Sequence, residues 1–139
     1  MPVFSKRSQE RLATCRPELS LVFNEVVKHW DCTILSGRRD REEQDELYAQ
    51  GRSQLKFPYS KHNTYPLSTA VDVAPWRSVA PHINWEDKCE FYAFARYVLI
   101  VAQQLGISLR WGGDWDSDWD YREESFFDGV HFELAGDDA

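Results

Sequence analysis

The 139 residues suit one domain able to bury a core without disulfide staples, and a composition that is 42% hydrophobic, with six Trp, eight Phe and six Tyr, excludes a disordered chain. Sixteen Lys and Arg against 23 Asp and Glu leave a net charge of −7, which argues against the basic surface of a phosphate-backbone binder and against general adhesion to anionic membranes. No nucleic-acid partner is expected, and the three separated cysteines, Cys15, Cys32 and Cys89, read as reduced thiols of a cytosolic protein.

The first residues, MPVFSKRSQERLATC, are basic but lead into no apolar run of signal-peptide length, and no stretch approaches the roughly 20 apolar residues of a membrane span. Synthesis in the cytoplasm without membrane insertion is therefore expected. No repeat or linker divides the chain, so residues 1–139 are expected to form a single domain, with 135–139 a short, flexible acidic tail.

In chain order, a short helix is expected over Ser8 to Cys15. Pro17 suits the first turn of the next helix, where Leu19, Val22, Phe23, Val26, Val27 and Trp30 recur at helical spacing. Cys32 to Leu35 reads as a strand entering the turn Ser36-Gly37-Arg38-Arg39. Asp40 to Gln50 is rich in helix formers and stops at Gly51. Arg52 to Leu67, with Pro58 and Pro66, reads as a surface loop carrying His62. Ala70 to Ala74 is a strand. Asn84 can cap a long helix from Trp85 to about Leu105, with Asp87 completing the cap and Gly106 the stop. Ile107 to Trp111 and Val130 to Leu134 supply two more strands around an acidic, Trp-rich loop. The pattern predicts an α+β fold, a small and mainly antiparallel sheet packed with helices.

Strand alternation brings out the polar residues of interest. In Val71-Asp72-Val73 the valines share one face and Asp72 takes the other, and Val130, Phe132 and Leu134 likewise oppose His131 and Glu133. If these strands are neighbours, Asp72 and His131 converge, and His62 joins them from the preceding loop. Two imidazoles and a carboxylate are a ligand set that zinc accepts with a fourth position left open. Spacing alone leaves a second reading standing, in which each is an ordinary solvated polar residue.

The segments Ser36-Gly37-Arg38-Arg39, Ser60-Lys61-His62 with Ala70-Val71-Asp72, Trp111-Gly112-Gly113-Asp114-Trp115 and Asp128-Gly129-Val130-His131-Phe132-Glu133-Leu134 resemble the M15 zinc peptidases of the VanY and L-alanyl-D-glutamate peptidase type. Within that group the chain is similar to single-domain bacteriophage endolysins, over roughly residues 8 to 134. The resemblance implies that His62, Asp72 and His131 bind zinc, that Asp128 is the catalytic acid and base, and that Arg39, rather than Arg38, holds a substrate carboxylate or polarises the scissile carbonyl. It also implies that Ser60 orients the loop bearing His62. One departure is visible: His62 and Asp72 stand further apart than in the common S-x-H-x-x-G-x-A-x-D form, the additional residues surrounding Pro66.

The implied mechanism is hydrolysis by metal-activated water, with Asp128 taking a proton and returning it to the leaving amine. The bland reading of Asp128 is that it only starts the Asp128-Gly129 turn. The implied substrate is the stem peptide of bacterial peptidoglycan, cut between L-Ala and D-Glu. Cleavage near a terminal D-Ala and a non-catalytic zinc-containing wall-binding module are the alternatives. The same resemblance implies action on the wall after release from the host cytoplasm by a holin-like partner, as a monomer. Asp114, Asp116, Asp118 and Asp120 could bind calcium, against the plainer reading of a solvated acidic lid. Trp111, Trp115, Trp119 and Tyr121 could line a groove but suit packing better. His29 and His82 read as structural or surface groups, and Glu133 as either a partner of His131 or an exposed glutamate.

Overall fold

The computed structural model describes residues 2–114 and 127–135. Helix α1 spans Lys6–Leu12 and is capped by Ser5, whose hydroxyl accepts the Ser8 N–H at 3.1 Å. It lies earlier than the expected Ser8 to Cys15. Ser8, a good cap in isolation, is instead buried within the helix, where its hydroxyl accepts the Ile34 N–H at 3.1 Å. Helix α2 (Pro17–Val26) opens on Pro17 and buries Leu19, Val22, Phe23 and Val26, the predicted stripe.

Strand β1 (Cys32–Ser36) runs into the Gly37 turn, and α3 (Arg41–Ala49) follows. Asp40 proves to be its cap rather than its first residue, in a reciprocal box with Glu43 that satisfies two otherwise orphaned N–H groups. Strand β2 spans Ala70–Pro75. Helix α4 is Lys88–Gln104, shorter at its start than expected, because Asp87 and not Asn84 caps it by accepting the Glu90 N–H at 3.0 Å. The Asn84 carbonyl instead accepts the Asp87 N–H at 3.1 Å in a preceding turn. Gly51 and Gly106, at φ of 73° and 75°, end α3 and α4 in the left-handed conformation that glycine adopts without strain.

Strands β3 (Leu109–Trp111) and β4 (His131–Leu134) complete an antiparallel sheet in the order β1-β2-β4-β3. Both are a residue or two shorter than expected, the usual uncertainty where a strand frays into a turn. The acidic Trp-rich run from 115 to 126, and with it the expected contribution of Asp116, Asp118 and Asp120 to calcium binding, lies outside the described residues, as do positions 136–139 of the expected tail. Ala135 is tied in by donating its N–H to the Ser108 carbonyl at 3.0 Å. No helix among the described residues is long and apolar enough to cross a membrane.

Helices α2 and α4 pack against each other, and α4 meets the sheet. Phe132 is fully buried between Phe23, ring centroids 5.4 Å apart, and Phe94, at 6.3 Å, both edge-on. Val71 and Val73 are buried with it. Apolar burial on this face holds β2 and β4 in register, so the intervening Asp72 and His131 are delivered to the opposite face. Cys15 and Cys32 are buried and Cys89 exposed, none in a disulfide. Burial pushes the Cys15 thiol up to about 12, which keeps it protonated and inert. The core role of Phe132 predicts that Phe132→Ala costs about 3–5 kcal/mol of stability. Denaturant unfolding of the two proteins measures it, and a loss under 1 kcal/mol would remove the anchoring role.

Candidate active site

Asp72 and His131 are direct cross-strand partners in β2 and β4, which sets their side chains side by side. His62 arrives from a 3₁₀ turn, Lys61–Asn63, capped by Ser60, whose hydroxyl accepts the His62 N–H at 3.2 Å. The expected surface loop is thus folded inward around its histidine, which is only 1% exposed. The Arg39 N–H donates to the His62 carbonyl at 2.8 Å, fastening this turn to the one after β1. The residues around Pro66 do not disturb it. Thr69 N–H, the Ser68 hydroxyl and the Thr69 hydroxyl all donate to the Lys61 carbonyl at 3.2–3.3 Å, pinching the loop shut while Tyr65 stands out 81% exposed.

Each imidazole has one nitrogen already committed. His62 Nδ1 lies 2.8 Å from the Gly37 carbonyl, which can only accept, so Nδ1 carries the proton. His131 Nε2 lies 2.8 Å from Glu133 Oε1 and donates to it. The remaining nitrogens, His62 Nε2 and His131 Nδ1, face each other at 3.2 Å, and Asp72 Oδ1 closes the triangle at 3.1 Å and 3.5 Å. An ion bound at about 2.0–2.1 Å in tetrahedral geometry needs donors about 3.3 Å apart. The three can therefore hold a metal without rearrangement. Two imidazole lone pairs aimed at each other inside a protein need a cation or a proton between them.

The electrostatics agree. In the metal-free chain, burial works against the charged forms of both Asp72 and His131, but their mutual interaction prevails. Asp72, paired with His62, His131 and Arg39, is held well below the usual carboxylate range. His131, hydrogen-bonded to Asp72 and Glu133, is raised to about 9. Glu133, although burial raises it, is lowered to about 2 by His131, Lys61 and Arg110. Asp128 is raised, by burial first and by the Asp72 charge second. Its backbone carbonyl accepts the His131 N–H at 3.1 Å, so Asp128 does shape the turn that leads into β4.

Arg39 has three commitments: Nη2 to Asp72 Oδ2, Nε to Ser36 Oγ at 3.0 Å, and Nη1 to Gln44 Oε1 at 3.3 Å. It orients the outer oxygen of Asp72, leaving the inner one for a cation. Arg38 points elsewhere, donating from Nε to the Thr64 carbonyl at 3.2 Å. Asp72, Asp128, His62, His131 and Arg39 all line one cleft of about 840 Å³, together with Trp85, Tyr59, Lys61, Arg110 and Glu133.

Four contributors escaped the sequence reading. Gln44 is completely buried and joins Arg39 to Ser53 Oγ and the Leu55 carbonyl through its amide. Gly112 lies so close to the site that a Cβ there would meet the Asp128 carbonyl oxygen at 2.4 Å and His131 Cβ at 3.0 Å. Lys61 and Arg110 both bind Glu133 Oε2, at 3.2 Å and 3.1 Å. Only the Gly112-Gly113 pair offered a signal, as a place of close backbone approach. Glu133 is the partner of His131, and Trp111 is core, 1% exposed, with its indole N–H donated to the Gly129 carbonyl at 2.8 Å. His82 is exposed and stacks on Trp76, away from the ligands.

The family described as phage L-alanyl-D-glutamate peptidase matches residues 2–135. The chain belongs to this family. It is 36% identical over 138 residues to the L-alanyl-D-glutamate peptidase of Escherichia phage T5, spanning 95% of this chain and 97% of that relative. Among solved structures it is similar to the Serratia marcescens L-Ala D-Glu endopeptidase ChiX, with a TM-score of 0.73 and 27% identity over 96% of this chain and 91% of that one. The motif resemblance and the α+β expectation are both borne out, and membership of this family makes the chain a peptidase.

A metal can enter only on the deprotonated His131, so uptake below pH 9 is expected to release a proton and affinity to rise with pH. Calorimetry in buffers of different ionisation enthalpy measures the release; none at pH 7 would contradict the geometry. For the metal-free protein, the His131 contribution is complete below its ordinary 6.5 and lost as pH rises through about 9. That of Asp72 is complete above 3.8 and lost on acidification through its lowered value. Metal-free stability should therefore fall on both sides of that window, and added metal should remove the alkaline loss.

Proposed function

We propose that this peptidase hydrolyses the bond between L-Ala and D-Glu in the stem peptide of bacterial peptidoglycan, using zinc held by His62, Asp72 and His131, with Asp128 as general acid and base. The observation that carries the reading is the triangle of two imidazole nitrogens and one carboxylate oxygen, opening on the cleft that Asp128 also lines, in a chain of this family.

Two nitrogens and one oxygen at tetrahedral spacing suit zinc. Calcium, which takes six to eight oxygens, does not suit this centre. A zinc ion held by His62, Asp72 and His131 would supply Lewis acidity for the scissile carbonyl and lower the pKa of a water toward ~7. Asp128 would hold a proton taken from a water in the cleft and return it to the departing amine, a task matched to a carboxyl whose pKa is raised by burial and by Asp72. Arg39 acts through Asp72, whose orientation it sets. Ser60 and the Gly37 carbonyl fix the turn and the tautomer of His62.

The named relatives favour the L-Ala–D-Glu bond over one at a terminal D-Ala. An Asp128 carboxyl beside a complete ligand set favours an enzyme over a wall-binding module. The associated biology, synthesis in the host cytoplasm, release by a holin-like partner and action as a monomer, is part of the same proposal. Asp128→Asn is expected to lower kcat by about 10² to 10⁴ while metal content stays stoichiometric. Mass spectrometry of digested peptidoglycan should show new L-Ala carboxyl and D-Glu amino termini. Wall binding with no new termini would instead establish the non-catalytic alternative.

A further inference from the structure

We propose that Lys61 and Arg110 form the subsite for the carboxylate that the D-Glu residue keeps on the leaving-amine side of the scissile bond, an inference that rests on the L-Ala–D-Glu reading of this site. Glutamate has two carboxyl groups, and a chain that continues through one leaves the other ionised. That anion must enter a cleft already lined by Asp72, Asp128 and Glu133, in a protein of net charge −7. Unless a cation meets it there, like-charge repulsion opposes binding.

Arg39 is the less suitable cation. Three of its groups are bound to Asp72, Ser36 and Gln44, and its side chain is 12% exposed. Lys61 and Arg110 expose 37% and 44% of theirs while lining the same cleft. Both lie within 3.2 Å of a single atom, Glu133 Oε2, so two positive groups are gathered at one spot.

Their placement is built into the fold. Arg110 is the cross-strand partner of Glu133 in β3 and β4, and Glu133 shares a strand face with His131. Lys61 immediately precedes His62 in the 3₁₀ turn. Lys61 thus adjoins His62 in the chain and Arg110 reaches His131 through Glu133, and both share the cleft with the two imidazoles. Glu133 gathers the cations and accepts the hydrogen bond from His131 Nε2–H, linking carboxylate recognition to metal placement.

The test uses the full zinc-loaded chain and two peptides containing L-Ala–D-Glu extended through the side-chain carboxyl, one with the main-chain carboxylate free and one with it as a carboxamide. Wild type should favour the acid in kcat/KM by about tenfold to a hundredfold, the range of one charged hydrogen bond. Lys61→Met and Arg110→Met should each bring the acid-to-amide ratio toward one, with the loss in KM, whereas Lys61→Arg retains it. Zinc content is measured for every variant. Equal cleavage of both peptides by wild type, or an unchanged ratio in both Met variants, would overturn the subsite. So would loss of the ratio in Arg52→Met alone, since Arg52 also lines the cleft. Cleavage of neither peptide would remove the function reading and this inference with it.

Discussion

Two imidazole nitrogens held 3.2 Å apart, each on a ring whose other nitrogen is already donating, are the constraint on which the rest of the site depends. Without a shared cation, one of them must take up a proton, and the carboxylates of Asp72 and Glu133, outweighing burial, raise His131 so that it holds one. Asp72 Oδ1 completes the triangle, and everything around it serves to keep three donors from relaxing apart. Burying such a cluster costs desolvation energy. That cost is offset only where each charge finds a well-placed partner.

The partners come from opposite sides. On one, Gln44 and Ser36 hold Arg39, and Arg39 holds the outer oxygen of Asp72. On the other, Lys61 and Arg110 hold Glu133, which holds His131. The Gly37 carbonyl does the same for His62. Each ligand thus has a support that fixes its orientation, and neutral, anionic and cationic groups alternate outward from the triangle. Removing one member strands a buried charge, so these residues act as a unit rather than as separate contributions.

The apolar face supplies the rigidity. Phe132, Val71 and Val73 lock the register of β2 and β4, and a one-residue slip would turn Asp72 and His131 into the core. Gly112 lets the turn after β3 approach Asp128 and His131 at backbone distance. Asp128 and His131 are consequently set by the same short turn, through the hydrogen bonds from Asp128 N–H to the Gly112 carbonyl and from Gly112 N–H to the His131 carbonyl.

Alternation in Val71-Asp72-Val73 and in Val130 to Leu134, the stripe of α2, and the glycines closing α3 and α4 are local signals, so the sequence by itself determined the main elements, the faces of Asp72 and His131, and the family. Local signals also misled at two helix starts: α1 begins earlier than expected, with the Ser8 hydroxyl bound inside it to the Ile34 N–H, and Asp87 rather than Asn84 caps α4. Tertiary structure alone decided that the loop of His62 turns inward, that Arg39 serves Asp72, and that Gln44, Lys61 and Arg110 belong to the site. Their partners lie on other elements, and the spacing of a chain carries no record of a contact made only when those elements pack.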